Sequence, residues 1–319
     1  MDPEKNRTLE KELTPGKKGI YPGSWLLFWL VIKPISLLPY SILYRVSDFF
    51  FLVLWVIIPY RKKVVLGNLA RVFPEKPESE RRLIARKFYR HFADLVIESL
   101  KNFSISRSDA NRRMVQHNTE LLNNYSARGR SIVICGGHCG NWELWAMAAP
   151  LQLNHILLGI YKRLSNPFFD QKMRESRSRY GIVLVPTIET GNYLRTHPDE
   201  VNALIIAIDQ SPANPQKALW IDWFGQDTAV YFGAEKYATD FDRPIVFGSI
   251  RKVKRGYYEV TYHLVTDTPK AHPKEFITRK LFDILEADIR RDPELWLWTH
   301  KRWKHKRPAA IAPGESAPA

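Results

Sequence analysis

The chain has 319 residues, is 45% apolar, carries a formal net charge of +15 and contains two cysteines. That is enough for one large packed domain, or for one domain with an N-terminal appendage, and the excess of cations directs it to a polyanion such as nucleic acid, an acidic protein or an anionic membrane. No DNA-reading helix pattern or RNA-binding aromatic motif supports nucleic acid, and two cysteines supply neither a secreted-type disulfide framework nor a four-ligand zinc site.

Residues 1–22 are polar, with Pro and Gly, and are expected to be disordered. No cleavage-site pattern follows, so no signal peptide is expected. Residues 25–60 are rich in Leu, Ile, Phe and Trp. Lys33-Pro34, Pro39, Arg45 and Asp48 divide them into runs of about 8 to 12 residues, short of the roughly 18 that a spanning helix needs. The pattern favours helices lying in a membrane surface or inserting part way, anchored by Trp25, Trp29 and Trp55. A buried packing role and one kinked spanning helix are the alternatives.

A basic step at 61–63 leads into a helix ending near Val72. Residues 79–103 read as a long amphipathic helix, with Ser79 as its cap and Leu83, Ile84, Phe88, Phe92, Leu95, Val96 and Leu100 on one stripe. Residues 106–122 read as a further helical segment. From 130 the rhythm changes. Buried strands are expected at 130–136, 154–160, 181–186, 202–208, 244–251 and 256–265, and helices at 141–149, 167–179, 190–196, 231–241 and 273–291. That alternation gives an α/β fold: a mixed, largely parallel central sheet flanked by helices, preceded by the membrane-associated helices. The domain reading is 1–22 tail, 23–60 apolar helices, 61–307 catalytic domain and 308–319 flexible tail. Aromatic and glycine residues at 220–224 and 230–233 either shape a hydrophobic groove or pack in the core.

The richest run is Ile134-Cys-Gly-Gly-His-Cys-Gly-Asn-Trp-Glu143. It ends a strand, turns through glycines and starts a helix. On an ideal helix His138 and Glu143 would point about 140° apart. His138 is therefore placed in the loop and Glu143 in the first turns of the helix. An ionised Glu143 accepting one imidazole N–H would leave the other nitrogen free to take a proton from an alcohol. Cys139 as a nucleophile would need His138 as its base, yet immediate neighbours rarely present their side chains to each other. Asp209-Gln210 follows a buried strand, and loops at the carboxyl ends of such strands hold ligands. A self-satisfied turn is the alternative for that pair, and a helix start is the alternative for Asn166-Pro167.

Several blocks, in order, resemble one family. They are Arg-Lys-Lys-Val-Val-Leu-Gly-Asn-Leu-Ala-Arg-Val-Phe-Pro-Glu75, the His138-x4-Glu143 motif, Tyr161-Lys-Arg-Leu-Ser-Asn-Pro167, Asp209-Gln210, and Pro293-Glu-Leu-Trp-Leu-Trp-Thr-His-Lys-Arg-Trp-Lys304. The chain resembles the late (lauroyl/myristoyl) acyltransferases of lipid A biosynthesis, a branch of the His-x4-Asp/Glu acyltransferase superfamily, over roughly residues 25–307. Lys162-Arg163 stands where the family usually has Arg-Pro, and Ser211-Pro212 follows Asp-Gln where many members have Asp-Tyr-Gly. The resemblance implies acyl transfer from acyl carrier protein to a hydroxyl of a lipid A precursor at the cytoplasmic face of a bacterial inner membrane. In that scheme His138 is the general base and Glu143 orients it. Arg177, Asn166, Arg163, Asp209 and Gln210 are the substrate-binding candidates, and no metal or cofactor is needed. An acidic carrier and a phosphorylated acceptor would both suit the basic chain. Acylation of another lipid (a lysophospholipid or amino-acyl lipid) and non-catalytic lipid binding are the alternative functions. Finally, Trp296 and Trp298 followed by the basic run 301–307 read as a membrane-interface segment.

Overall fold

The computed structural model describes residues 21–308, so most of the two expected tails, 1–20 and 309–319, lies outside the described residues. In chain order the elements are α1 (Pro22–Leu37), α2 (Tyr40–Ile57), α3 (Lys62–Val72), α4 (Glu78–Lys101), α5 (Arg107–Arg113), β1 (Met114–His117), α6 (Thr119–Ala127), β2 (Ile132–Gly136), α7 (Trp142–Ala148), β3 (Ile156–Tyr161), α8 (Pro167–Arg177), β4 (Val183–Pro186), α9 (Thr190–Thr196), β5 (Asn202–Ala207), β6 (Leu219–Trp223), β7 (Gln226–Val230), α10 (Gly233–Asp240), β8 (Ile245–Lys254), β9 (Tyr257–Thr266) and α11 (Phe276–Arg291).

Every residue of β2 is buried, because helices cover both faces of the sheet. Its side chains alternate between two cores. Val133 and Cys135 face the core shared with α4, α10 and α11, while Ile132 and Ile134 face the core shared with α5 and α7. The seven-stranded sheet runs β1-β9-β8-β2-β5-β3-β4. All of its pairings are parallel except the β8–β9 hairpin. The six strands expected from the sequence correspond to β2, β3, β4, β5, β8 and β9.

Two departures have clear causes. The stretch expected to be helical at 106–122 is split by β1, whose alternating burial lets it pair in parallel with β9. Tertiary pairing overrides local preference there. The aromatic segment at 220–224 is half of a two-stranded hairpin, turned at Phe224 (φ 57°) and Gly225 (φ 65°). Positive φ at both central positions matches the twist of a tight hairpin. Leu219, Ile221 and Trp223 of this hairpin join the core.

The apolar N-terminal region is less broken than its sequence suggests. Only Leu38 and Pro39 separate α1 from α2. Lys33 is accommodated because its Nζ donates to the Phe103 carbonyl at 3.0 Å, and Asp48 because Arg90 and Arg255 pair with it at 3.1 and 2.7 Å. A π-helical turn at Phe28–Ile32 precedes Pro34, whose ring cannot complete a regular ladder. By length and composition α2 could cross a membrane: it has 18 residues at mean hydropathy 1.6. Yet it lies antiparallel along α4. Tyr44 donates to Glu98 at 3.0 Å, Ser47 donates to Asp94 at 2.7 Å, and the Trp55 and Tyr89 rings meet at 5.4 Å. α4 itself begins after Pro77 with no side-chain cap, so Ser79 does not cap it; Glu78 and Glu80 in its first turn favour the helix dipole instead.

Candidate active site

β2 and β5 are parallel neighbours, and their register pairs Gly136 with Ala207. Residues two positions further along each strand therefore leave the sheet side by side, and these are His138 and Asp209. The His138 backbone N–H donates to Asp209 Oδ2 at 2.9 Å, and His138 Nδ1 donates to Oδ1 at 2.6 Å. Trp296 Nε1 donates to Oδ2 at 2.8 Å. Asp209 is buried, and these donors satisfy it as a carboxylate. At the outer edge of the ring the Gln210 side-chain amide donates to His138 Nε2 at 3.1 Å. The network thus fixes the tautomer, with the proton on Nδ1 and the lone pair on Nε2. Trp142 packs edge-on against the ring, with centroids 5.1 Å apart.

The glycines of the loop serve closeness more than turning. A Cβ on Gly137 would meet Leu285 at 2.5 Å, and one on Gly136 would meet Trp145 at 3.1 Å. The left-handed turn falls at Gly140 (φ +60°), where a Cβ would also strike Ile250 at 2.6 Å. Asn141 then caps α7, its Oδ1 accepting the Leu144 N–H at 2.9 Å.

Glu143 lies in the first turn of α7, as expected, but it does not accept the imidazole proton. Arg177, in the last turn of α8, grips its carboxylate through Nε (2.8 Å) and Nη2 (2.6 Å). His138 leaves the chain before the cap, facing β5, whereas Glu143 faces α8, so the hydrogen bond expected between them gives way to two separate pairs. The Glu143 charge still acts on the imidazolium through space. Among the other candidates, Asn166 Oδ1 caps α8 by accepting from the Phe168 and Phe169 N–H groups, and its Nδ2 donates to Ser24 Oγ at 2.8 Å. Arg163 pairs with Glu189 at 2.8 Å on the surface. Those two residues organise α8 and a loop; they do not join the His138 cluster.

Burial alone would lower the His138 pKa, but the adjacent Asp209 charge and hydrogen bond more than offset it and raise it above its ordinary value. Burial likewise pushes the Asp209 pKa up, and the His138 contacts outweigh it, leaving the carboxyl well below the usual range. Burial raises the thiol pKa of Cys139, so it is not poised as a nucleophile. Among the described residues no group of three or more His, Cys, Asp or Glu side chains could hold a metal ion.

The C-terminal segment reads differently in three dimensions. Leu295 accepts the Gly140 N–H at 3.0 Å, and Leu297 N–H donates to the His138 carbonyl at 3.1 Å, so the segment straps the His138 loop from behind. Trp296 and Trp298 are 1% and 0% exposed, and Arg302 is 1% exposed. The expected membrane-interface role for these tryptophans is therefore corrected: they pack into the core around Trp223. His300 Nε2 accepts from the Ser211 N–H at 2.9 Å, and burial lowers its pKa to about 4, so it serves as a neutral brace. The sequence placed Asp209 at the same site as His138, because both directly follow buried strands, but it did not give Asp209 as the imidazole's partner or Trp296 as that aspartate's support.

A largely parallel α/β sheet with a buried His–Asp pair at its carboxyl edge, the imidazole lone pair facing outward, is an arrangement chemically able to take a proton from a bound group. The model of the bacterial lipid A biosynthesis acyltransferase family matches residues 16–305, and the chain belongs to that family. It is thus an acyltransferase. It is 24% identical over 294 residues to a lipid A biosynthesis acyltransferase of Haemophilus influenzae, covering 89% of this chain and 91% of that protein. It is also 24% identical over 310 residues to the lipid A biosynthesis lauroyltransferase of Escherichia coli, covering 92% and 95% of the two chains.

Proposed function

We propose that the protein transfers a fatty acyl chain from the thioester of acyl carrier protein to a hydroxyl of a phosphorylated lipid A precursor. The carrying observation is the outward Nε2 of a His138 whose other nitrogen is held by Asp209. The acceptor hydroxyl displaces the Gln210 amide and gives its proton to Nε2. Its oxygen bonds to the thioester carbon, and the tetrahedral oxyanion collapses to expel the carrier thiolate. The imidazolium then returns the proton to sulfur, so no covalent enzyme intermediate forms. Asp209 stabilises the imidazolium and holds the ring in place. The freed Gln210 amide is placed to donate to the developing oxyanion. Glu143 fixes Arg177, whose Nη1 edge is not used in their fork and is offered to an anionic part of the substrate.

The acceptor class is carried by the family and by both relatives' names. The carrier donor is supported by the chain's net charge of +15. We read the enzyme as seated on the cytoplasmic face of the inner membrane by α1 and α2. Trp25, Leu26, Trp29, Leu30, Phe49 and Val56 are all exposed, although α2 is hydrogen-bonded to α4 along its inner side. Polar attachment along one side and an apolar opposite side suit a helix lying in the interface.

The test offers purified protein acyl carrier proteins bearing defined chains, with lipid A precursor and lysophospholipid as competing acceptors. Product mass should show the acyl chain on the lipid A precursor. Acylation of only the lysophospholipid, or turnover retained in His138→Ala, would refute the reading. Cysteines introduced at Leu38 and Lys63, on either side of α2, should both label from the cytoplasmic side; labelling from opposite sides would mean that α2 spans.

A further inference from the structure

Two residues of α4 hold the catalytic loop from beneath. His91 donates through Nε2 to the Gly140 carbonyl at 3.2 Å, and Glu98 Oε2 accepts from Asn141 Nδ2 at 2.7 Å. They are seven residues apart, two helical turns on one face. Glu98 is 5% exposed and is fully occupied: Tyr258 donates to the same oxygen at 2.9 Å, and Tyr44 of α2 donates to Oε1 at 3.0 Å. One buried carboxylate therefore joins the outward-apolar helix to the loop between His138 and Glu143. Asn141 is itself fully buried, and it both caps α7 and binds Glu98. A shift of Glu98 must therefore move the cap, and with it the loop that presents His138. Gly140, hemmed in by Ile250, leaves the loop little room to adjust on its own.

We propose that Glu98 is a positioning residue for the acyl-transfer step, and that through Tyr44 it makes the placement of the catalytic loop depend on how α2 is seated. This rests on the acyltransferase reading given above. Glu98 touches no reacting atom; it acts through Asn141. Its hydrogen-bond pattern predicts an informative contrast. In Glu98→Gln, the amide oxygen can still accept from Asn141 and Tyr258 while the amide nitrogen donates to the Tyr44 oxygen. In Glu98→Leu, Asn141 loses a buried partner.

The experiment measures kcat and KM for both substrates, together with amide hydrogen exchange of residues 138–145, in full-length wild type, Glu98→Leu, Glu98→Gln and Tyr44→Phe. Misplacing reacting groups by about an ångström costs on the order of 100-fold, so Glu98→Leu should lower kcat by about 30-fold or more with KM within about twofold, and should speed exchange in 138–145. Glu98→Gln should stay within about threefold of wild type, and Tyr44→Phe should lower kcat several-fold while also speeding loop exchange. Wild-type kcat and loop exchange in Glu98→Leu would overturn the proposal, as would a Glu98→Gln enzyme as impaired as Glu98→Leu. If Glu98→Leu fails to fold, Tyr44→Phe decides: unchanged loop exchange there refutes the coupling. If the wild-type enzyme transfers no acyl chain, the functional reading fails, while the exchange data still test the positioning claim independently.

Discussion

Two segments of this chain share a composition and meet opposite fates. Residues 25–60, followed at once by the basic run 61–63, and residues 293–307, which end in a basic run, are both rich in tryptophan, and both read as membrane-facing in the sequence. Trp25 and Trp29 are 51% and 42% exposed on α1, whereas Trp296 and Trp298 are sealed in the core. The difference is what lies opposite. The C-terminal segment meets the loop after β2, whose backbone N–H and carbonyl groups it pairs with, and its indole finds a buried carboxylate to satisfy. The N-terminal helices find polar partners such as the Phe103 carbonyl, Glu98 and Asp94 along their inner side, and much of their apolar surface stays exposed. Composition reports that a tryptophan wants an apolar body and a polar tip. It does not say whether protein or lipid supplies them.

The comparison can be broken by exchanging readouts. Trp296→Phe keeps the ring but removes the donor to Asp209. A lost hydrogen bond to a buried charge should lower kcat by about 10- to 100-fold, with binding to anionic vesicles unchanged. Weakened vesicle binding with intact turnover would return this segment to the membrane. The converse variant, Trp25→Ala with Trp29→Ala, should reduce vesicle partitioning by about tenfold or more, from the apolar area lost to lipid, and leave kcat in detergent within about twofold. A collapse of turnover in detergent would mean that α1 shapes the site. The smallest effect is expected at Lys301 and Lys304, exposed neighbours of the buried Arg302: alanine at both should change either measurement by less than about twofold.

The strands that carry the site were legible because a sheet covered on both faces leaves uninterrupted apolar runs, and β2 and β5 are such runs. His138 was legible from the glycine-rich junction. Its partner was not, because sequence spacing suggests neighbours along the chain, whereas a parallel register joins residues 71 apart. Glu143 was found but given the wrong hydrogen bond for that reason. β1 escaped because a four-residue strand has too little periodicity to oppose a helical reading, and only β9 decides it. The buried polar side of α4 escaped because His91, Asp94 and Glu98 look like solvent positions until Ser47, Tyr44 and Asn141 are placed against them.

The His138–Asp209 pair also carries a stability signature. The raised His138 pKa means that the folded state holds this proton more tightly. That contribution is present below the unfolded value of about 6.5 and is lost as pH rises through the raised folded value. The depressed Asp209 pKa works from the other side: its contribution is present above about 3.9 and is lost as pH falls toward its folded value.

The most direct measurement is the pH dependence of kcat/KM in wild type and Asp209→Asn. With His138 as base and Asp209 as its raising charge, wild-type activity should climb to a plateau with a midpoint above about 6.5. Asp209→Asn should retain little activity, with its midpoint moved below that value, because burial is then opposed only by the smaller effect of the Glu143 charge. A midpoint left where the wild type has it, at undiminished rate, would contradict the account.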